Sequence, residues 1–202
     1  MSDEGLLVIL SGPSGSGKGT IVETLKQKDN FAISISMTTR EPRPGEKHGI
    51  NYFFCSREEF IKIRDQGGFL EHAQFCGNLY GTPKFYVDEQ IRKKKFVVLE
   101  VDVNGALQVK EKIDNCILIF VIPPSMDELK KRLVGRNTET PQKIIDRLTR
   151  AKEEVKLIYG YNYIVVNDDV DEAVKKINMI VETESLRPAR NKFMIKKIIG
   201  GD

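Results

Sequence analysis

Apolar residues follow two alternating rhythms along the chain. LLVIL, from Leu6 to Leu10, is a short continuous apolar run that stops at a Gly/Ser cluster, the pattern of a strand buried on both faces. FVVLEV (Phe96 to Val101), CILIFVI (Cys116 to Ile122) and YIVV (Tyr163 to Val166) repeat it, with helix-period segments between them, the first predicted from Thr20 to Lys28. Such alternation implies βαβ units, so the expected fold class is α/β, a three-layer parallel sheet with helices on both faces.

Helix starts are chemically marked. Ser56 with Glu59 and Ser125 with Glu128 have capping-box spacing, and Thr140 before Pro141 reads as N-cap followed by the first helical residue. From Ile144, the apolar positions Leu148, Ala151, Val155 and Ile158 form one helical stripe, expected to face the core. Residues 36–88 break the alternation with turn-rich, short alternating pieces, and read as an inserted subdomain of antiparallel character. GRNTETP (Gly135 to Pro141) is a short polar interruption expected to be mobile. The basic tail from Arg187 to Asp202, with its IKKII patch, reads as a helix or arm packing on the body.

Composition narrows the classes. The 202 residues suit about one domain with an insertion, and 40% hydrophobic with 30% charged residues is ordinary globular usage. A net charge of +3 gives no whole-protein footprint for nucleic acid, so any anion site must be local. No apolar run approaches the roughly 20 residues that cross a bilayer. MSDEG carries no secretion signal, and three cysteines without CxxC spacing suit reduced thiols; a cytoplasmic protein is expected, with no membrane partner.

The strongest chemical signal is GPSGSGKGT, comprising Gly12, Pro13, Ser14, Gly15, Ser16, Gly17, Lys18, Gly19 and Thr20. Placed between a buried strand and a helix, a glycine-rich loop turns successive N–H groups onto phosphate oxygens, the helix N-terminus adds positive potential, and Lys18 adds a full charge. This is a P-loop for a nucleoside triphosphate. The position after the lysine, usually Ser or Thr as a Mg²⁺ ligand, is Gly19. Either Thr20 touches the ion or its water, or phosphates and water hold most of it. Asp102 ends the Phe96 to Val101 run, where acidic residues at strand C-termini meet ligands, and Glu100 precedes it by two.

The insertion should bind the phosphoryl acceptor. Arg40 and Arg43 have planar forks that suit a phosphate, and Tyr52 adds a donor. Glu71, Tyr80 and Thr82 add a carboxylate, a phenol and a hydroxyl. Guanine presents two adjacent donors, which one carboxylate such as Glu71 can accept together.

These segments, with LEVDVNGA, RLVGRNTETP and VVNDD, occur in an order that resembles the guanylate kinase family, specifically its free-standing bacterial type. The resemblance implies Mg²⁺-dependent transfer of the ATP γ-phosphoryl group to GMP. It implies that Ser36, Glu71, Thr82 and Asp102 read guanine, with Glu100 supporting, while Arg40, Arg43, Tyr52 and Tyr80 hold the GMP phosphate. Arg132, Arg136 and Arg147 would come from a lid, and Asn167 would lie beside adenine. Arg150 matches no family arginine and is expected to be solvated. Asn137 stands where the family pattern reads GRGTET. The implied division is core 1–35, GMP-binding subdomain 36–88, core 89–134, lid and following helix 135–158, and core with tail 159–202. ATP and GMP are the expected partners, and a homo-oligomer is left open. Another nucleoside monophosphate kinase would share the P-loop without needing Glu71, Thr82 and Asp102; a non-enzymatic scaffold relative would typically carry a damaged P-loop.

Overall fold

A computed structural model of the chain describes residues 5–93, 95–135 and 140–200. The main sheet is parallel, in the order β2 (Phe31–Ile33), β7 (Phe96–Glu100), β1 (Leu6–Ser11), β8 (Ile117–Ile122), β9 (Tyr163–Val166). Side chains alternate across it as the period of a strand requires. Leu6, Val8 and Leu10 pack with α1 (Lys18–Leu25) and α7 (Val170–Ser185); Leu7 and Ile9 pack with α3 (Lys84–Arg92) and α4 (Val103–Lys112). The α/β three-layer expectation is met.

Boundaries shift for local reasons. Helix α1 opens at Lys18, two residues earlier than predicted, because Gly17 in the left-handed region at φ 87° turns the loop directly into the helix. It ends at Leu25, the last of the buried residues Ile21, Val22 and Leu25; Lys26 to Lys28 have no apolar side chain to hold another turn. The three predicted starts are caps in fact: Ser56 accepts from the Glu59 N–H, Ser125 from Glu128, and Thr140 from Lys143.

Residues 37–83 contain a second sheet, β4 (Phe53–Phe54), β3 (Met37–Thr38), β6 (Asn78–Pro83), β5 (Phe69–Phe75). Strand β6 is antiparallel to both neighbours, and β3 pairs with β4 in parallel. Helix α2 (Arg57–Asp65) closes a separate small core in which Phe60 and Phe69 stack at 4.4 Å between ring centroids.

Helices α5 (Met126–Gly135) and α6 (Pro141–Lys156) pack against each other. The predicted α6 stripe is real, but Ile144, Leu148 and Ala151 pack on Leu129 and Leu133 of α5 and not on the sheet. Periodicity defines a face without naming its partner. The segment expected to be mobile falls largely on 136–139, outside the described residues.

The tail is tied at its root. Glu184, 4% exposed, accepts from Tyr163 Oη at 2.5 Å and pairs with Arg187 at 2.8 Å and Arg190 at 3.3 Å. Beyond it α8 (Lys192–Ile198) forms, but Ile198 and Ile199 stay about three-quarters exposed, so the IKKII patch does not pack on the body as expected. Among the described residues no helix is long and apolar enough to cross a membrane.

Leu10 is fully buried at the centre of the main sheet. Truncating it leaves a cavity as well as lost transfer energy, so Leu10→Ala should cost about 2–5 kcal/mol. Urea unfolding followed by circular dichroism should show a lower midpoint at unchanged slope.

Candidate active site

The C-terminal ends of β1 and β7 emerge side by side, because Leu10 pairs with Glu100 and the Val101 N–H donates to Leu10 O at 3.1 Å. From β1 runs the glycine loop. Gly12, Gly15 and Gly17 all have positive φ, at 137°, 93° and 87°. Close approach also demands two of them: a Cβ on Gly12 would stand 2.1 Å from Val121 O, and one on Gly17 would stand 2.2 Å from Asn167 Nδ2. Lys18 folds back over the loop, donating to Gly12 O at 2.6 Å and Pro13 O at 3.1 Å.

Asn167, at the end of β9, braces this loop from below. It is 2% exposed, and its Nδ2 donates to Ser16 O at 2.8 Å. Its backbone carbonyl accepts from Arg132 Nη1 at 2.9 Å, while Arg132 Nε is held by Glu128 at 2.9 Å. Ser16 Oγ and Asn167 Oδ1 are buried without a hydrogen-bond partner among the described residues. Orphaned polar atoms beside a phosphate loop are a mark of a ligand site.

Across from the loop lies a cavity of about 680 Å³ lined by Gly12, Ser14, Lys18, Tyr52, Phe75, Glu100, Val101, Asp102, Arg147, Arg150 and Glu154. Glu100 faces it beside the first turn of α1, where a Cβ on Gly19 would lie 3.9 Å from Glu100 Oε2. Desolvation pushes the Glu100 carboxyl up, Lys18 pulls it down, and Glu23 pushes it up again. Thr20 is exposed on the same turn. Arg147 Nη1 reaches from α6 to Ser14 Oγ of the loop.

Two further carboxylates converge on the N-terminus of α4. Asp102 is its N-cap, accepting from the Gly105 N–H at 2.9 Å. Glu71 approaches from β5, with its Oε2 3.4 Å from where a Gly105 Cβ would stand, and accepts from Thr82 Oγ1 at 2.6 Å. A register shift between Phe69 and His72 explains the burial of Phe69, Leu70 and Glu71 in succession. A bulge re-aims side chains in this way. Burial pushes the Glu71 carboxyl up, Thr82 opposes this, and the Asp102 charge adds to the rise.

The insertion's basic group is pre-assembled. Arg40 Nη2 lies 2.9 Å from both oxygens of Glu46, Nη1 donates to Glu41 O at 2.7 Å, and the guanidinium sits 5.4 Å from the Tyr52 ring centroid. The Tyr52 and Tyr80 rings meet edge-on at 6.1 Å. Glu46 also accepts from the Arg43 N–H at 2.8 Å, so one carboxylate organises both arginines. Sequence reasoning missed Glu46, although its position three residues after Arg43 in a Pro/Gly turn was the available signal. Ser36 borders the same sheet, its carbonyl accepting from the Phe53 N–H at 2.9 Å.

Of the expected site residues, Gly12, Ser14, Lys18, Tyr52, Glu100, Asp102 and Arg147 line this one cavity. Arg136 and Asn137 lie outside the described residues. Arg150 is exposed, as expected, and in addition donates to Asp102 Oδ2 at 2.9 Å and Glu154 Oε1 at 2.7 Å. It projects from α6 one turn beyond Arg147, which brings it to the carboxylate at the end of β7.

Residues 4–184 match the family described as guanylate kinase. The chain is 48% identical to a guanylate kinase of Clostridium perfringens (strain SM101 / Type A), covering 95% of this chain and 89% of that one. It is also 48% identical to a guanylate kinase of Caldanaerobacter subterraneus subsp. tengcongensis, covering 96% and 95%. Among solved structures, the guanylate kinase from Anaplasma phagocytophilum superposes with a TM-score of 0.72 at 33% identity, covering 94% of this chain and 90% of that one.

Glu71 is a site for a stability test. Because its folded value is raised, there is a pH window above the ordinary carboxylate range in which the unfolded chain is ionised and the folded one is still protonated. Folding stability therefore falls as pH rises through the raised value. Glu71→Gln keeps an acceptor for Thr82 and removes the buried charge, so its melting temperature should equal or exceed the parent's at pH 7. That advantage should vanish in acid; a parent clearly more stable at pH 7 would contradict desolvation as the dominant effect.

Proposed function

The chain belongs to the guanylate kinase family and transfers the γ-phosphoryl group of ATP to GMP, giving ADP and GDP, and we propose that it does so between opposite walls of the 680 Å³ cavity. One observation carries this reading: Lys18 with Gly12 and Ser14 faces Tyr52, Glu100 and Asp102 across a single space.

On the donor wall, Gly12 to Thr20 cradle the ATP phosphates with backbone N–H groups and Lys18, and Asn167 lies beside the adenine while its amide braces Ser16. On the acceptor wall, Arg40, Arg43, Tyr52 and Tyr80 hold the GMP phosphate; Glu71 accepts from the guanine N1–H and 2-amino group, with Ser36, Thr82 and Asp102 completing the pocket. Adenine has no matching pair of donors. The GMP-binding subdomain is residues 36–88 and the lid 135–158. Arg132, Arg136 and Arg147 stabilise the charge spread over the transferring group. The acceptor oxygen is already anionic, so no general base is required. Turning both walls toward each other brings the reacting atoms into line and excludes water.

The Thr20 hydroxyl, exposed on the first turn of α1 beside the loop, is a hard oxygen that suits Mg²⁺ directly or through a water. An ion held chiefly by phosphates and water fits that arrangement. When bound, it neutralises charge on the β- and γ-phosphates. A cytoplasmic location belongs to the same proposal, supported by free Cys55, Cys76 and Cys116.

A coupled ADP-release assay with GMP, AMP and UMP should show turnover with GMP alone, and a flat response to GMP would overturn the reading. Arg147→Ala should lower kcat at least about tenfold with little change in the KM for GMP, since its interaction is made with the transferring group. Unchanged turnover would remove Arg147 from the catalytic set.

A further inference from the structure

We propose that Arg150 is a positioning residue that fixes the Asp102 carboxylate at the purine end of the acceptor site and ties it to helix α6. The proposal rests on the reading that Asp102 helps to recognise guanine. Arg147 and Arg150 stand three residues apart, so they lie on one face of α6. The first donates to Ser14 on the donor wall and the second to Asp102 on the acceptor wall. One helix face is thereby joined to both halves of the site.

The guanidinium is itself held. Glu154, one turn further along α6 and with its side chain only 12% exposed, accepts from Arg150 Nε at 2.7 Å, leaving the Nη2 edge directed at Asp102 Oδ2. A planar fork can serve two carboxylates at once in this way, which an ammonium group cannot do with fixed geometry. The other Asp102 oxygen caps Gly105. With one oxygen bound to the start of α4 and one to α6, the carboxylate plane has a single orientation. It remains able to accept from a purine amino group, because two carboxylate oxygens offer about four lone-pair sites. Glu71 flanks the same Gly105, so fixing Asp102 also fixes the geometry between the two carboxylates.

The pair is half exposed, at 56% for Arg150 and 53% for Asp102. Exposed ion pairs add little to folding stability, so a purely structural tie is a poor account of it. Both side chains line the cavity, and Arg150 also borders a groove between α4 and α6 with Val103, Asn104 and Leu157. Loss of the arginine should therefore register in acceptor binding.

The test compares Arg150→Ala, Arg150→Lys, Asp102→Asn and the Arg150→Ala/Asp102→Asn pair in the full chain, by steady-state kinetics and thermal melting. Arg150→Ala should raise the KM for GMP roughly three- to tenfold, as for loss of one charged hydrogen bond at a partly exposed site, while the KM for ATP and the melting temperature hold. Arg150→Lys should restore part of the loss, and the double variant should be no worse than Asp102→Asn alone. If Asp102→Asn weakens GMP and Arg150→Ala does not, the arginine's role is overturned and the guanine reading stands. If Asp102→Asn itself leaves the KM for GMP unchanged, the reading beneath the proposal fails. Equal rises in both KM values with a lowered melting temperature would make Arg150 a structural tie and overturn the proposal.

Discussion

The register of β1 against β7 is the constraint on which the rest of the site depends. With Leu10 opposite Glu100, both strands end at the same height, and the chain leaves one as the phosphate loop and the other as Glu100, Val101 and Asp102. The neighbours complete the seat. Val121 of β8 lies against Gly12, and Asn167 after β9 lies against Gly17. Parallel strands buried on both faces place their C-terminal ends on one side, and in such sheets ligands bind there. The continuous apolar runs that build the core therefore also determine where chemistry can occur.

Charge in this protein is organised in local pairs. Arg40 leans on Glu46, Arg132 on Glu128 and Arg150 on Glu154. Each carboxylate fixes one edge of a guanidinium and leaves donors aimed elsewhere, which lowers the ordering entropy that a ligand must offset. The same pairing cancels in a sum over the chain. The net charge of +3, from 32 basic and 29 acidic residues, therefore does not register these local groups.

What the sequence discloses is whatever depends on near neighbours. The P-loop, the buried strands and the caps at Ser56, Ser125 and Thr140 are local patterns, and all are present in the fold. Contacts between distant segments were not legible. Asn167 meets Ser16 across 151 positions and Arg150 meets Asp102 across 48, and no spacing rule joins them. Glu71 could be proposed as a guanine reader from its chemistry, but its burial depends on the β5 irregularity opposite Gly81, which has no signature in FLEHAQF. The α6 stripe was visible, whereas its partner α5 was decided by packing.

The contact between Gly17 and Asn167 bears on how this sequence can vary. Any side chain at 17 meets two separate obstacles, a left-handed backbone and the amide nitrogen of residue 167. A smaller residue at 167 would remove the second obstacle but would release Ser16 O and leave the first in place. No single compensating change restores the loop. Glycine at 17 is therefore required twice over, by its left-handed turn and by the room that Asn167 needs, and the second requirement is imposed on the phosphate loop from the far edge of the sheet.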